Sequence, residues 1–169
     1  MKTIKRIAFA FVLLLIGSAS VAQTQPTITV TKKLNISADD VWEQIRILDN
    51  IDKISSFVSK VEFTGPLTAA GGTRVCTSAD GNGYFKEKIK EFSDVERSYT
   101  YHVVEGVHAR NMVNNFKVVD LGYNSSMIIW TSNFEFIENP NMNKEQLVGF
   151  LTNAIREMIN NSIINAQKS

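Results

Sequence analysis

Apolar and polar residues alternate with a period of two through most of the chain between positions 58 and 137. This pattern predicts six strands, at Val58–Phe63, Thr73–Ser78, Tyr84–Phe92, Ser98–Glu105, Asn111–Leu121 and Ser125–Ile137. The segment ADGNG at 79–83 holds Asp-Gly and Asn-Gly pairs, and both pairs tolerate the positive φ of a tight hairpin turn. Because short connections join the last five strands, we expect an antiparallel meander.

One more strand and two short helices precede this meander. Thr27–Ile36 alternates and is rich in β-branched residues, as is typical of a strand. Ser37 is placed to cap a helix, and Asp40 three residues later predicts a capping box. The helix then carries an apolar stripe at helical spacing, formed by Val41, Trp42, Ile45 and Leu48. Asn50–Phe57 is predicted to be a second short helix.

The longest predicted helix ends the chain, from about Asn143 to Ala166. Its wide apolar face consists of Leu147, Val148, Leu151, Ala154, Ile155, Met158 and Ile159. Such a face must be buried, and the inner side of the meander is the large apolar surface available. The polar face is rich in asparagine and mixed in charge, which favours packing within the domain over binding to a membrane surface.

Four stretches, in this order, resemble the SRPBCC superfamily of START and birch-pollen-allergen-like proteins, and within it the polyketide cyclase/dehydrase-like branch. They are ISADDVWEQIRILDNIDK (36–53), GGTRVCTSADGNGYFKEKIKEF (71–92), SYTYHVVEG (98–106) and MIIWTSNFEF (127–136). The resemblance implies an α+β helix-grip fold, in which a curved antiparallel sheet of six or seven strands holds the long C-terminal helix. It also implies a cavity between sheet and helix for an apolar or amphipathic small molecule.

The chain departs from the superfamily pattern at two positions. An aromatic-x-proline motif after the second helix is replaced by Ser55–Val58, and a proline before the sixth strand is absent from Val107–Arg110. Both segments border the cavity opening in the superfamily, so we expect an altered opening here. Members include lipid and hormone binders as well as aromatase/cyclases, so the fold alone leaves the activity open.

Residues 1–22 have the features of a secretory signal peptide. A basic start precedes an apolar run at 7–16, which is shorter than the roughly 20 residues of a membrane-spanning helix, and small residues stand before the cleavage position. No cysteine for lipid attachment lies nearby. We therefore expect a secreted or periplasmic protein whose single domain is formed by residues 23–169.

The charge balance argues against a nucleic-acid partner. Without the predicted signal peptide, 15 basic residues stand against 17 acidic ones, and the strand KEKIKEF interleaves both signs, as on a solvated face. Cys76 is the only cysteine, so no internal disulfide is possible, and a buried free thiol is its default state. His102, Glu105 and His108 match no zinc-ligand spacing, and we expect neither metal nor cofactor.

Glu87 is the most informative residue of the meander. Alternation places it between Phe85 and Ile89 on the apolar face of its strand, where a carboxylate requires a partner or trapped water. One interpretation is that it orients a ligand, and the other is an ion pair with Arg74 on the neighbouring strand. The candidate ligand-binding residues are Arg74, Phe85, Glu87, Tyr99, Tyr101, Met112, Asn114, Phe116, Trp130, Phe134, Leu151 and Ile155.

Three functions are compatible with these patterns. The first is an exported protein that binds a small hydrophobic or amphipathic molecule in the cavity. The second is a cyclase or dehydratase in which a buried Glu87 acts as general acid or base; no other residue is a candidate for catalysis. The third is a non-catalytic interaction module whose cavity is filled by its own side chains. The oligomeric state is not indicated.

Overall fold

The structure is a computed structural model that describes residues 26–167. The elements in chain order are β1 (Ile28–Leu34), α1 (Ala38–Ile45), α2 (Ile51–Ile54), β2 (Val58–Thr64), β3 (Thr73–Ser78), β4 (Tyr84–Ser93), β5 (Ser98–Glu105), β6 (Ala109–Gly122), β7 (Ser125–Phe136) and α3 (Lys144–Ala166). Each predicted strand and helix is present, with bounds that shift by a few residues. The predicted signal peptide lies outside the described residues. None of the helices within 26–167 is long and apolar enough to cross a membrane.

The seven strands form one antiparallel sheet in the order β1-β7-β6-β5-β4-β3-β2. The meander therefore runs from β2 to β7, and β1 closes it by pairing with β7, with Ile28 opposite Ser132. The register shifts in β2, β4 and β6, and such bulges bend a strand and increase its twist. The resulting curved sheet holds α3, so the predicted α+β helix-grip fold is confirmed.

α1 begins at Ser37, as predicted, but the cap differs in detail. The Ser37 hydroxyl accepts a hydrogen bond from the Asp40 backbone N–H at 3.1 Å. The Asp40 carboxylate accepts from the same hydroxyl at 2.6 Å, whereas a reciprocal capping box would bond to the Ser37 N–H. α3 has the reciprocal box instead, between Asn143 and Gln146.

α3 is held by α2 as well as by the sheet. The Glu157 carboxylate accepts from the Ser56 backbone N–H at 2.6 Å and from its hydroxyl at 3.0 Å. One turn later, the Asn161 side-chain amide donates to the Ile54 carbonyl at 3.0 Å. These bonds satisfy backbone groups at the end of α2 that have no helical partner, and they fix the segment after α2 to the C-terminal helix.

An aromatic cluster fills the interior beneath α1. Trp42 extends from α1 to the sheet, where its ring centroid lies 5.6 Å from Phe92 and 6.3 Å from Tyr99. Tyr99 in turn lies 5.5 Å from Phe116 on the next strand. Rings at these separations pack favourably beyond the area that they bury. This half of the space between sheet and helices is therefore occupied by side chains.

The Trp42 side chain is also tied to the β4–β5 turn by a polar contact. Its indole Nε1 donates to Asp94 Oδ1 at 2.8 Å, and Arg46 donates from two nitrogens to the same carboxylate at 2.9 and 2.8 Å. The hydrogen bond from Arg46 holds the pKa of the Asp94 carboxyl below its ordinary value of 3.8. Asp94 thus connects the turn between β4 and β5 to the buried Trp42 in α1 and to the more exposed Arg46 at its end.

We expect Asp94→Asn to lower the free energy of unfolding by about 1 kcal/mol, because it weakens a charge-assisted contact that solvent partly screens. Since the folded-state pKa is depressed, this stabilisation is fully present above pH 3.8 and is lost as pH falls through the folded-state pKa. Urea unfolding of wild type and variant at pH 7 and pH 3 measures both effects. Glu138→Gln, an exposed substitution, is the control. Equal losses at the two pH values would contradict the assignment.

Candidate functional site

A cavity of about 290 Å³ lies between the sheet and α3. It occupies the half of the interior that the aromatic cluster under α1 leaves open. Strands β2 to β7 form its floor and α3 its roof. The walls are mainly apolar, and include Val58, Phe85, Val103, Met112, Leu151, Ile155 and Met158. The volume lies near the lower end of the range of small-molecule pockets.

Arg74 and Glu87 form a buried ion pair in the cavity wall. The two residues are directly opposite each other on β3 and β4, and Arg74 Nε donates to Glu87 Oε2. Their side chains are only 2% and 5% exposed. Glu87 therefore forms the ion pair that one interpretation of the sequence expected. It also lines the cavity, as the other interpretation expected.

Arg74 makes further contacts besides its pair with Glu87. Its Nη1 donates to the Leu48 carbonyl at 3.0 Å, in the connection between α1 and α2, and its guanidinium carbon lies 4.9 Å from the centroid of the Tyr101 ring. Burial alone would lower the pKa of Arg74, but the charge of Glu87 reverses this effect and the guanidinium stays protonated. Burial raises the pKa of the Glu87 carboxyl, and Arg74 opposes that shift.

The remaining polar groups of the cavity come from β5, β6 and β7. Trp130 Nε1 donates to the Tyr101 hydroxyl at 3.1 Å. Asn114 is 1% exposed, and neither its Nδ2 nor its Oδ1 has a hydrogen-bond partner among the described residues. Buried polar side chains almost always have a partner. Asn114 therefore marks a point at which the cavity is prepared for a polar group.

The structure brings nine of the twelve candidate residues to the cavity. The polar and amphipathic members are Arg74, Glu87, Tyr101, Asn114 and Trp130, and the apolar members are Phe85, Met112, Leu151 and Ile155. Tyr99, Phe116 and Phe134 are buried but do not line it, so the structure does not bring these three to the cavity. Tyr99 and Phe116 pack under Trp42 in the aromatic cluster. Alternation predicts that Phe134 faces the interior, but it does not predict whether the side chain reaches the cavity.

The cavity opening includes residues that the alternation pattern did not identify. Phe57, Tyr84 and Phe150 line the cavity and are each at least one-third exposed. Phe57 and Phe150 meet edge to face, with centroids 5.3 Å apart. The departure from the superfamily pattern at 55–58 was the available signal for Phe57. Phe150 lies outside the apolar stripe of α3, and no sequence signal identified it.

Gly106 forms the opposite side of the opening, in the turn between β5 and β6. Its φ is +88°, a conformation that favours glycine, and a Cβ atom would lie 1.9 Å from the Tyr84 carbonyl oxygen. The neighbouring residues Val107 and His108, in the second segment that departs from the superfamily pattern, also line the cavity. Both departures thus lie at the opening of the cavity in this chain.

Other candidate reactive groups are placed unfavourably for chemistry. Burial raises the pKa of the Cys76 thiol to about 12, which keeps it protonated and weakly nucleophilic. The Glu105 carboxylate accepts from Tyr84 and Lys86 at 3.2 and 3.3 Å. Within residues 26–167, no group of three or more His, Cys, Asp and Glu side chains could hold a metal ion. The Cys76 thiol is therefore placed unfavourably for nucleophilic chemistry.

The fold and the cavity define a helix-grip protein with an apolar internal pocket. Residues 25–163 match the family model described as polyketide cyclase/dehydrase and lipid transport. The chain belongs to this family, and the resemblance noted in its sequence is confirmed. No curated protein is significantly similar to the chain in sequence.

Solved structures with low sequence identity share the fold. The Zhui aromatase/cyclase from Streptomyces sp. R1128 has a TM-score of 0.67 at 13% identity, with 83% of this chain and 93% of that chain covered. A START superfamily protein from Mycobacterium smegmatis has a TM-score of 0.67 at 11% identity, with 83% and 97% covered. Norcoclaurine synthase from Thalictrum flavum, solved in complex with dopamine and hydroxybenzaldehyde, has a TM-score of 0.62 at 18% identity, with 90% and 95% covered.

We expect Glu87→Gln to lower the free energy of unfolding by about 3–5 kcal/mol, because it leaves the Arg74 charge buried without a counter-charge. The double variant Arg74→Met/Glu87→Leu removes both charges and should recover most of that loss. Urea unfolding of Arg74→Met, Glu87→Leu and the double variant measures the coupling between the residues. The control is Glu62→Gln, which breaks the exposed pair with Lys60 and should have no measurable effect. If Glu87→Gln also had no measurable effect on the free energy of unfolding, Arg74 and Glu87 would not be coupled.

Proposed function

We propose that the protein is an exported small-molecule binding protein that holds a hydrophobic or amphipathic ligand between the sheet and α3. The observation that carries this proposal is the cavity of about 290 Å³, with its apolar walls and with Asn114, whose side chain lacks a partner in the described part of the chain. Pockets that bind small molecules combine apolar walls with a few placed polar groups in the same way. Family membership supports the proposal, since the family description includes lipid transport.

Affinity would come from the apolar walls and orientation from the polar groups. Each Å² of apolar surface removed from water contributes roughly 25 cal/mol. Because Arg74 and Glu87 neutralise each other, the cavity wall carries no free charge, and this suits an uncharged guest. The dopamine and hydroxybenzaldehyde in the norcoclaurine synthase structure are small aromatic molecules, and guests of that size suit a cavity of this volume.

A second candidate function is a cyclase or dehydratase that uses Glu87 as acid or base. It is favoured by the position of Glu87 in the cavity wall and by the raised pKa that burial gives its carboxyl. The hydrogen bond from Arg74 opposes it, because a carboxylate held by a guanidinium is a weaker base. The two functions differ in the fate of the bound molecule, which mass spectrometry before and after incubation would follow, with Glu87→Gln as the inactive control.

The third function, an interaction module with a filled cavity, has less support. Its premise is a space between sheet and helix that the protein's own side chains occupy. In the structure the aromatic cluster occupies only the part of that space beneath α1, and about 290 Å³ remains open. Native mass spectrometry of protein purified without detergent tests the premise directly, because a binding protein should retain a co-purifying small molecule.

We expect Ala154→Phe to weaken binding of the neutral fluorescent probe N-phenyl-1-naphthylamine at least tenfold, because Ala154 lines the cavity and a ring there would fill it. Asn153→Phe is the matched control, since it adds the same ring to an exposed position of α3 and should leave affinity unchanged. Fluorescence titration measures both, and circular dichroism checks folding. Equal affinities of the two variants would place the probe outside the cavity.

We also expect the chain to be exported to the periplasm or the medium. Support comes from the basic, apolar and small-residue segments of positions 1–22. Expression of the full chain in a bacterial host, followed by fractionation and N-terminal sequencing, should give a mature protein that begins at Gln23. Removal of residues 2–22 should retain the protein in the cytoplasm. An intact N-terminus in the cytoplasmic fraction of the full chain would contradict export.

A further inference from the structure

The position of Asn114 limits the chemistry of a guest. It lies on β6, directly opposite Tyr101 on β5 and Ser132 on β7. An asparagine side chain presents two donors and a carbonyl acceptor, and here both ends lack a partner in the described part of the chain. Since a buried unsatisfied amide is costly, a guest that both donates and accepts at this point would gain two hydrogen bonds.

The Tyr101 hydroxyl supplies one more donor beside Asn114. Its oxygen accepts from Trp130 Nε1, and its own proton has no acceptor among residues 26–167. Burial, reinforced by the charge of Glu87, raises the pKa of Tyr101 well above its ordinary value, so the hydroxyl keeps its proton. Side chains directly opposite on neighbouring strands are roughly 5 Å apart at Cβ, so Tyr101 and Asn114 stand side by side in the wall of the cavity.

Charged guests find no free counter-charge in the wall of the cavity. Arg74 and Glu87 are paired with each other, and Arg74 is engaged further by the Leu48 carbonyl. The other titratable groups of the lining are Tyr84 and His108, which are exposed at the opening. A carboxylate or ammonium ion beside Asn114 would lose its hydration without gaining an opposite charge.

We propose that the ligand is a compact, neutral and mainly apolar molecule with a carbonyl group next to an N–H donor, as in a carboxamide or lactam. The carbonyl would accept from Tyr101 Oη and Asn114 Nδ2, and the adjacent N–H would donate to Asn114 Oδ1. The cavity volume of about 290 Å³ limits the apolar part to a small ring system. This inference rests on the proposed binding function and specifies its ligand class.

Three isosteric probes test the chemistry directly. 2-Naphthamide has the acceptor and the adjacent donor, 2-acetylnaphthalene has only the acceptor, and 2-naphthoate is charged at pH 7. Isothermal titration calorimetry should show that the amide binds on the order of tenfold or more tightly than the ketone or the carboxylate, since a site built for a donor rejects an analogue that lacks it. Equal binding of amide and ketone, or tighter binding of the carboxylate, would overturn the proposal.

Two variants assign the selectivity to Asn114. Asn114→Leu removes both hydrogen-bonding groups and keeps the number and branching of the heavy side-chain atoms, so it should reduce amide binding to the level of the ketone and leave ketone binding within about threefold. Ser132→Ala is the matched control. The Ser132 hydroxyl is also buried without a partner in the described residues, but it does not line the cavity, and its loss should preserve the selectivity.

Folding and binding outcomes remain distinguishable. If Asn114→Leu does not fold, the smaller substitution Asn114→Ala should still abolish the preference for the amide, whereas Tyr101→Phe, which removes the donor to the carbonyl, should weaken amide and ketone binding alike. If the wild type binds none of the probes, nor N-phenyl-1-naphthylamine, the proposed binding function fails together with this inference. If it binds all three probes equally, the binding function stands and the inference about the ligand class is wrong.

Discussion

The buried contact between Arg74 and Glu87 is the constraint on which the rest of the site depends. Two opposite charges at paired positions of β3 and β4 are tolerated out of water only while each holds the other. The bond from Arg74 to the Leu48 carbonyl extends this constraint to the α1–α2 connection, so the helices cannot move freely over the sheet. The pair thus fixes one wall of the cavity and at the same time cancels its charge.

The aromatic cluster under α1 and the cavity under α3 are two outcomes of one architecture. Trp42 is large enough to extend from α1 to Tyr99 and to fill the space between them. α3 faces the sheet with small and flexible side chains such as Ala154 and Leu151, which leave a gap. Stability is therefore concentrated at one end of the interior and binding capacity at the other. This separation lets the binding end keep an unsatisfied amide.

The sequence predicted the fold well because its signals are local. Period-two alternation and turn residues located all seven strands, and helical spacing located α3. The opposition of Arg74 and Glu87 could also be anticipated, since a short hairpin fixes the register of its strands. The division of the interior into an aromatic cluster and a cavity could not be anticipated, because the packing of Trp42 onto Tyr99 joins residues far apart in sequence. For the same reason Tyr99 and Phe116 could not be assigned to the core, and the side chains at the opening depend on how α2 meets α3.

The two sides of the cavity opening differ in rigidity. At Gly106, backbone lies directly against backbone near Tyr84, and no rotamer change can widen that side. Phe57 and Phe150, by contrast, meet edge to face, and both side chains are at least one-third exposed to water. The width of the passage can therefore change where the two phenylalanine side chains lie, but not at Gly106. A bulky guest would pass by displacing these two phenylalanines while the sheet stays still.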